Sequence, residues 1–336
     1  MPQTEASAVG SRQITYAAAI AEALHEEMAR DPAVVVLGLD VGRFAGIFKA
    51  TRGLYERFGP DRVRDTPISE AAIAGVALGA SLQGIRPVAE IQYLDFMMIA
   101  ADQVVNHAAK YRYMFGGAVS VPVVYRTQGG SGRSNGGQHS GSLEAWFVHT
   151  PGLKVVMPST PYDAKGLLKA AIRDNNPVVF IEHKLLYASV GPVPAEDYLV
   201  PLGVADVRRP GRDVTVVATS AMVPRALQAA ARCEMEGIDA EVIDPRSLVP
   251  LDEDTILTSV RRTHRAIVVH EACKRCGWGA EMAQTITEKV FDDLDGPVVR
   301  LAGQDVPLPY ETELERAAVP QEADILQAIR AIVRQG

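Results

Sequence analysis

Cysteine is scarce. Three thiols, Cys233, Cys273 and Cys276, stand among 336 residues, too few for a disulfide framework and in keeping with a reducing compartment. Long apolar runs are missing too: the longest, Ala71 to Leu82, is about twelve residues and falls well short of a membrane span. Positive charge is in deficit, with 34 Lys and Arg against 41 Asp and Glu and a net charge of −7. Neither a nucleic acid nor an anionic membrane surface finds a basic patch to bind. Met1 to Gly10 is small and polar, without a positive start leading into an apolar core, so no signal peptide is expected and a cytoplasmic location is. The densest acidic stretch, Asp292-Asp293-Leu294-Asp295, is short and reads as a solvated helix end.

What is there belongs to a folded, soluble chain: 47% hydrophobic and 22% charged residues. The length is too great for one ordinary α/β core and suits two. Short β-branched runs alternate with amphipathic stretches of helix length, the pattern of βαβ units and parallel sheets. In the first half strands are expected at 34–38, 87–91, 121–127, 153–157 and 178–182, with helices at 15–30, 71–83, 100–113 and 162–173. In the second half strands are expected at 214–219, 240–243, 266–270 and 298–301, with helices at 223–236, 253–262, 279–292 and 325–334. The segment 190–203 holds three prolines and little periodicity, and reads as a linker. The expected organisation is a tail (1–12), an α/β domain (13–190), a linker (191–203) and a second α/β domain (204–336).

Generic motifs do not explain the chain. Gly130 to Gly136 approaches a dinucleotide fingerprint, but Asn135 replaces its third glycine and no helix opens directly after it. There is no P-loop, and neither His25-Glu26 nor His270-Glu271 is followed by the second histidine of a zinc protease. Gly132-Arg133-Ser134-Asn135-Gly136 spells a nucleophile elbow without the strand and helix that must flank one. Cys273-Lys274-Arg275-Cys276 has the spacing of half a metal site and lacks its partner pair, which favours ordinary loop thiols.

Longer segments are more specific. They are Arg62 to Glu70 leading into the small-residue helix 71–83, Glu90-Ile91-Gln92-Tyr93-Leu94-Asp95-Phe96 with Asp102-Gln103, and Gly136-Gly137-Gln138-His139-Ser140 followed by Ser142-Leu143-Glu144-Ala145-Trp146. Pro151 to Pro158, Tyr162 to Leu167, Ala302 to Tyr310 and Val319-Pro320 complete the series. In these segments, from about Thr15 to the C-terminus, the chain resembles the β subunits of the thiamine-diphosphate-dependent component of the 2-oxo acid (pyruvate, branched-chain) and acetoin dehydrogenase complexes. The resemblance implies a transketolase-like pyrimidine-binding domain followed by a transketolase C-terminal-like domain.

It also implies roles. Glu70 falls on the family's cofactor-activating glutamate, whose carboxyl meets the ring nitrogen opposite the amino group of the aminopyrimidine; an apolar wall of Ile68, Ala71 and Ala72 would favour a shared proton there. By residue type alone, Glu70 behind Ser69 reads first as a helix-capping acid, an order that the resemblance reverses. Phe96 falls where the family packs an aromatic ring on the aminopyrimidine, otherwise a core aromatic. Ile68 and Gln92 would line the cofactor site. His139 matches the histidine that faces the substrate carboxylate and assists acyl transfer to a lipoyl group; without the resemblance it is a solvated loop histidine. Ala171, Asp174 and Asn176 resemble the residues around a structural potassium ion in some members, although the same run supplies helix stop signals.

The sequence contains no Gly-Asp-Gly, the segment with which such enzymes hold magnesium and pyrophosphate. That half is expected from an α subunit, in a heterotetramer of two α and two β chains serving a lipoyl-bearing acyltransferase core. Leu39 stands where the family carries an acid thought to relay protons between sites, and leucine cannot carry one. His107, where a smaller residue is usual, has no explanation in the sequence. A β-like scaffold without catalysis and the C-terminal portion of a split transketolase are the alternatives. The latter would need more cationic groups for sugar phosphate than the Arg133 and His139 that the loop 129–140 offers.

Overall fold

The computed structural model describes residues 11–334. In the first domain the chain runs β1 (Ser11–Thr15), α1 (Tyr16–Arg30), β2 (Val34–Gly38), α2 (Leu54–Phe58), β3 (Val63–Asp65), α3 (Glu70–Ser81), β4 (Arg86–Ile91), α4 (Ala109–Met114), β5 (Val124–Gly129), α5 (Glu144–Val148), β6 (Lys154–Val156), α6 (Pro161–Arg173), β7 (Val178–His183) and β8 (Val190–Pro194). The second domain adds β9 (Asp206–Arg209), β10 (Val214–Ala218), α7 (Met222–Glu234), β11 (Ala240–Asp244), β12 (Ser247–Val249), α8 (Glu253–Thr263), β13 (Ala266–Cys273), α9 (Trp278–Val290), β14 (Val299–Gly303), α10 (Thr312–Ala317) and α11 (Glu322–Arg334).

Near-continuous apolar strands such as β7 and β10 are buried along their whole length, as strands covered by helices on both faces must be. They form two sheets, ordered β12-β6-β7-β5-β4-β2-β3 and β14-β13-β10-β11-β9. The first sheet is parallel except for β12, which crosses from the second domain to pair antiparallel with β6 and stitches the domains together. Arg246 beside β12 reaches back to Asp163 of α6 at 3.1 Å.

The linker expectation is corrected in part. β8 lies in the proline-bearing segment and pairs antiparallel with β1, which takes in Ser11 and Arg12 of the expected tail. A two-stranded ribbon has outer edges whose N–H groups need no partner, so Pro192 and Pro194 are tolerated there. The expected helix 100–113 is also not regular. Leu94–Met98 is a 3₁₀ turn and Asp102–Ala108 winds as a π-helix before α4. The wider turn brings His107 to 3.3 Å from Asp102, five residues earlier, and its ring lies edge-on to Tyr111. That pairing is the structural use of a histidine the sequence left unexplained.

α6 packs along α1 with two fully buried lysines on its inner side. Lys165 lies 2.7 Å from Glu26, and Lys169 pairs with Glu26 and Asp197. Buried ammonium groups hold only with such partners. Among the described residues no helix is long and apolar enough to cross a membrane.

Candidate active site

Because β3, β2, β4, β5 and β7 are parallel, the segments that follow them emerge at one edge of the sheet. Those segments are Thr66–Glu70, Leu39–Gly46, Gln92–Phe96, Gly130–Ser142 and Lys184. β2 leads to β3 on one side, whereas its neighbour β4 leads to β5 on the other. The crevice outside the carboxyl ends of β2 and β4 is therefore a topological switch point, where open α/β sheets bind their ligands. Gln92 spans it, its side-chain amide donating to the Leu39 carbonyl at 3.2 Å. Non-glycine residues with left-handed backbone, Asp40, Ala45 and Ser134, lie in these loops.

Glu70 is the first residue of α3 and half-buried. Ser69 caps α3 without a side-chain hydrogen bond. Among the described residues the Glu70 carboxylate has neither a hydrogen-bond donor nor an ion-pair partner, which leaves both oxygens free to accept. The expected apolar wall is open: Ile68 is 76% exposed and Ala71 and Ala72 are exposed. β3 and β4, two strand positions apart, leave their carboxyl ends roughly 10 Å from each other, with Glu70 following one and Phe96 the other.

Across that gap three rings meet. His139 lies edge-on to Tyr93 at 4.7 Å and to Phe96 at 5.2 Å, and Tyr93 and Phe96 are themselves edge-on at 5.9 Å. Quadrupoles favour such T-shaped contacts, which fix the imidazole against an aromatic corner. Phe96 and His139, 43 residues apart in sequence, are thus brought together. Asp95 holds the Gly141 N–H at 3.2 Å, and the buried Lys184 ammonium donates to the His139 carbonyl and lies 5.7 Å from the Tyr93 ring.

Beneath the loops sits a network the sequence reading missed. Arg126 of β5, 1% exposed, joins Glu90 of β4 to Glu182 of β7, and the Tyr187 hydroxyl donates to Glu182. Burial works to lower the Arg126 pKa, but Glu182 and Glu90 outweigh it and hold the guanidinium charged. Burial raises Glu182 despite Arg126. A charged residue on each of three apolar strands was the available signal.

Ala171, Asp174 and Asn176 do meet at the end of α6. Asp174 accepts both N–H groups of Asn176 at 2.8 Å and binds Lys154, and the Ala171 carbonyl accepts the Asp174 N–H at 3.2 Å. Arg86 donates to the Ile172 and Asp174 carbonyls at 3.0 and 3.1 Å, and Arg112 to the Asn176 side chain at 3.0 Å. Three cationic side chains thus engage acceptors of Ile172, Asp174 and Asn176, whereas the Ala171 carbonyl meets a backbone N–H. Among the described residues, no three or more His, Cys, Asp or Glu side chains gather where they could hold a metal ion. Cys273 and Cys276 are exposed free thiols.

Residues 12–189 match the family "transketolase, pyrimidine binding domain" and residues 203–325 match "transketolase, C-terminal domain". The chain is 48% identical to the 2-oxoisovalerate dehydrogenase subunit beta of Bacillus subtilis, covering 95% of this chain and 98% of that one. The chain belongs to the β-subunit family of the 2-oxo acid and acetoin dehydrogenases. It is likewise 47% identical to the mitochondrial pyruvate dehydrogenase E1 component subunit beta-2 of Oryza sativa subsp. japonica, over 97% of this chain and 88% of the relative. With the acetoin:2,6-dichlorophenolindophenol oxidoreductase subunit beta of Cupriavidus necator it shares 44% over 97% and 99%. Among solved structures, a split gene transketolase described as an inactive beta4 tetramer superposes with a TM-score of 0.79 at 25% identity, covering 96% of this chain and 98% of that one. The family-level reading of the sequence and its two-domain α/β fold are borne out, and membership of this family implies thiamine diphosphate as the cofactor.

Proposed function

We propose that this chain supplies the aminopyrimidine-facing half of a thiamine diphosphate site in a 2-oxo acid or acetoin dehydrogenase, and that an α subunit supplies the other half. The observation that carries the reading is the Glu70 carboxylate, half-buried and without a partner among the described residues, on the same sheet edge as the Phe96, Tyr93 and His139 rings. When bound, thiamine diphosphate supplies an electron sink for the carbon that loses carbon dioxide, or for carbon–carbon cleavage in acetoin. Glu70 would accept a hydrogen bond from, or share a proton with, the ring nitrogen facing it. Phe96 presents an aromatic surface of the right kind for a flat heterocycle. Ile68 adds an apolar contact below the ring, and Gln92 keeps its carbonyl oxygen for the site while its amide ties down Leu39. His139 would hold a proton near the substrate carboxylate and pass it on during transfer of the acyl group to a lipoyl-bearing partner.

Magnesium and pyrophosphate fall to the α subunit because the sequence carries no Gly-Asp-Gly. Exposed apolar side chains on these surfaces, among them Ile68, Val76, Ile99, Tyr113, Met114 and Trp146, suit cover by other chains, as in a heterotetramer of two α and two β. Three free thiols suit a reducing cytoplasm. No step rests on a potassium ion. The relatives at 44–48% identity favour this reading over a split transketolase, whose solved counterpart shares 25%. Free catalytic groups also favour it over a silent scaffold.

The test is co-purification with an α-type partner, followed by turnover of pyruvate, branched-chain 2-oxo acids and acetoin. Glu70→Ala should abolish turnover and leave assembly intact. Near-normal activity in that variant would overturn the assignment.

A further inference from the structure

The loop from Gly130 to Gly141 is held from both sides by charged groups that neither the family match nor the proposed chemistry assigns. From the second domain, Glu315 of α10, 2% exposed, accepts the N–H groups of Gly132 and Ser134, each at 2.9 Å. One carboxylate thus spans the loop bidentately, and the Ser134 hydroxyl meets Thr312 at 3.0 Å beside it. Glu271 of β13 accepts the Ser131 N–H and binds His183 at 2.9 Å. From the first domain, Lys184 donates to the His139 carbonyl, and Arg133 donates to the Lys184 carbonyl at 3.3 Å. Ser134 is held with a positive φ of 52° within this grip, a conformation that a serine keeps only when its surroundings over-determine it.

We propose that Lys184 and Glu315 are positioning residues: they clamp the loop between the two domains and thereby fix His139 against Tyr93 and Phe96. The functional half of this statement rests on the acid/base reading of His139; the clamp itself rests only on the contacts. Three physical points support it. Backbone N–H groups converging on a carboxylate make charge-assisted bonds, about twice as strong as neutral ones. Lys184 is fully buried with Asp95, Glu271 and Glu315 arrayed about it, and burial lowers its pKa although those carboxylates oppose the shift, so the ammonium is poised among the anions that hold the loop. Finally, Pro307 and Tyr310, between β14 and α10, pack on Gly137 and Gly136, so the second domain covers the middle of the loop as well. An anion on the outgoing half of the loop and a cation near its return act together. Removing either frees the segment that carries the imidazole.

The experiment uses the protein purified with its partner chain. Tryptic cleavage after the exposed Arg133 reports loop order without reference to catalysis. Lys184→Met and Glu315→Ala should raise the rate of that cut well above wild type, with Lys184→Arg and Glu315→Gln recovering part of the protection. Turnover in Lys184→Met should fall roughly ten- to a hundredfold in kcat, the cost of a misplaced catalytic group. The substrate KM should change little, so the loss should appear in kcat and not in KM. Melting temperatures separate the clamp from simple unfolding, because the two conservative variants keep shape and fold. Wild-type cleavage rates in both Lys184→Met and Glu315→Ala would overturn the clamp, even if His139→Gln proved inactive. An active His139→Gln would instead sink the acid/base reading, while faster cleavage in the clamp variants would still support the clamp.

Discussion

Glu144 should make this protein less stable as the pH rises toward neutrality, and Glu144→Gln should remove the effect. The residue opens α5 just after the loop that carries His139, and it is buried with its Oε2 unpaired among the described residues. Burial pushes its pKa up, its own backbone N–H pulls down, and the negative Glu271 pushes up again, to about 7 from an ordinary 4.5. The unfolded chain releases this proton near 4.5, while the folded chain keeps it until about 7. The folded state is therefore unpenalised below the lower value, loses stability between the two, and stays penalised above. A gap of that size corresponds to ~3 kcal/mol at full development, opening at about 1.4 kcal/mol per pH unit. Glutamine keeps the shape and cannot ionise. Urea unfolding at fixed protein concentration, at a series of pH values from about 5 to about 8, measures both proteins. Asp244, also raised to about 7 by burial and by Asp163, is common to both and cancels in the difference. The variant should gain on wild type across that window and then hold a constant lead. A difference that stays flat with pH would refute the reasoning.

Three further outcomes follow from the same structure. Arg126→Ala should destabilise by about 3–5 kcal/mol in thermal or chemical unfolding, because it strands Glu90 and Glu182 in the core; adding Glu90→Gln and Glu182→Gln should recover part of the loss. Glu271 is held at about 2, since His183, the Ser131 N–H and Arg225 outweigh the upward push of burial. Its stabilisation is present above the ordinary carboxylate value and disappears as pH falls through about 2, so Glu271→Gln should blunt acid unfolding below pH ~4.5. Potassium in place of sodium at equal ionic strength should leave the melting temperature unchanged, because Arg86, Lys154 and Arg112 already engage Ile172, Asp174 and Asn176 at the end of α6; a rise specific to potassium would show that the ion shares them.

Much of the fold was legible because apolar periodicity is a local signal. β7 is found at 178–183 against an expected 178–182, and α8 at 253–263 against 253–262. Elements that exist only through a partner were not legible: β1 and β8 define each other, and three-residue β12 is a strand only because β6 lies beside it. The π-helix at 102–108 defeats a period of 3.6 for the same kind of reason, since a wider turn changes which residues align. At the site, Glu70, Phe96 and His139 stood out in their motifs, and the sheet then set Phe96 and His139 against Tyr93. Lys184, Glu315 and Arg126 did not stand out, because each works through residues 36 or more positions away.

By itself, then, the amino-acid order determined the two α/β domains, the family, and the identity of the groups available for chemistry, since side-chain type and hydrophobic period are written residue by residue. Only the tertiary structure decided which charges go inside. Lys165, Lys169 and Lys184 read as ordinary surface lysines, yet all three are buried, because carboxylates or a carbonyl from distant segments wait to meet them. A charge is stable in an interior only where its partner also arrives, and the arrival of a partner is a property of the folded chain.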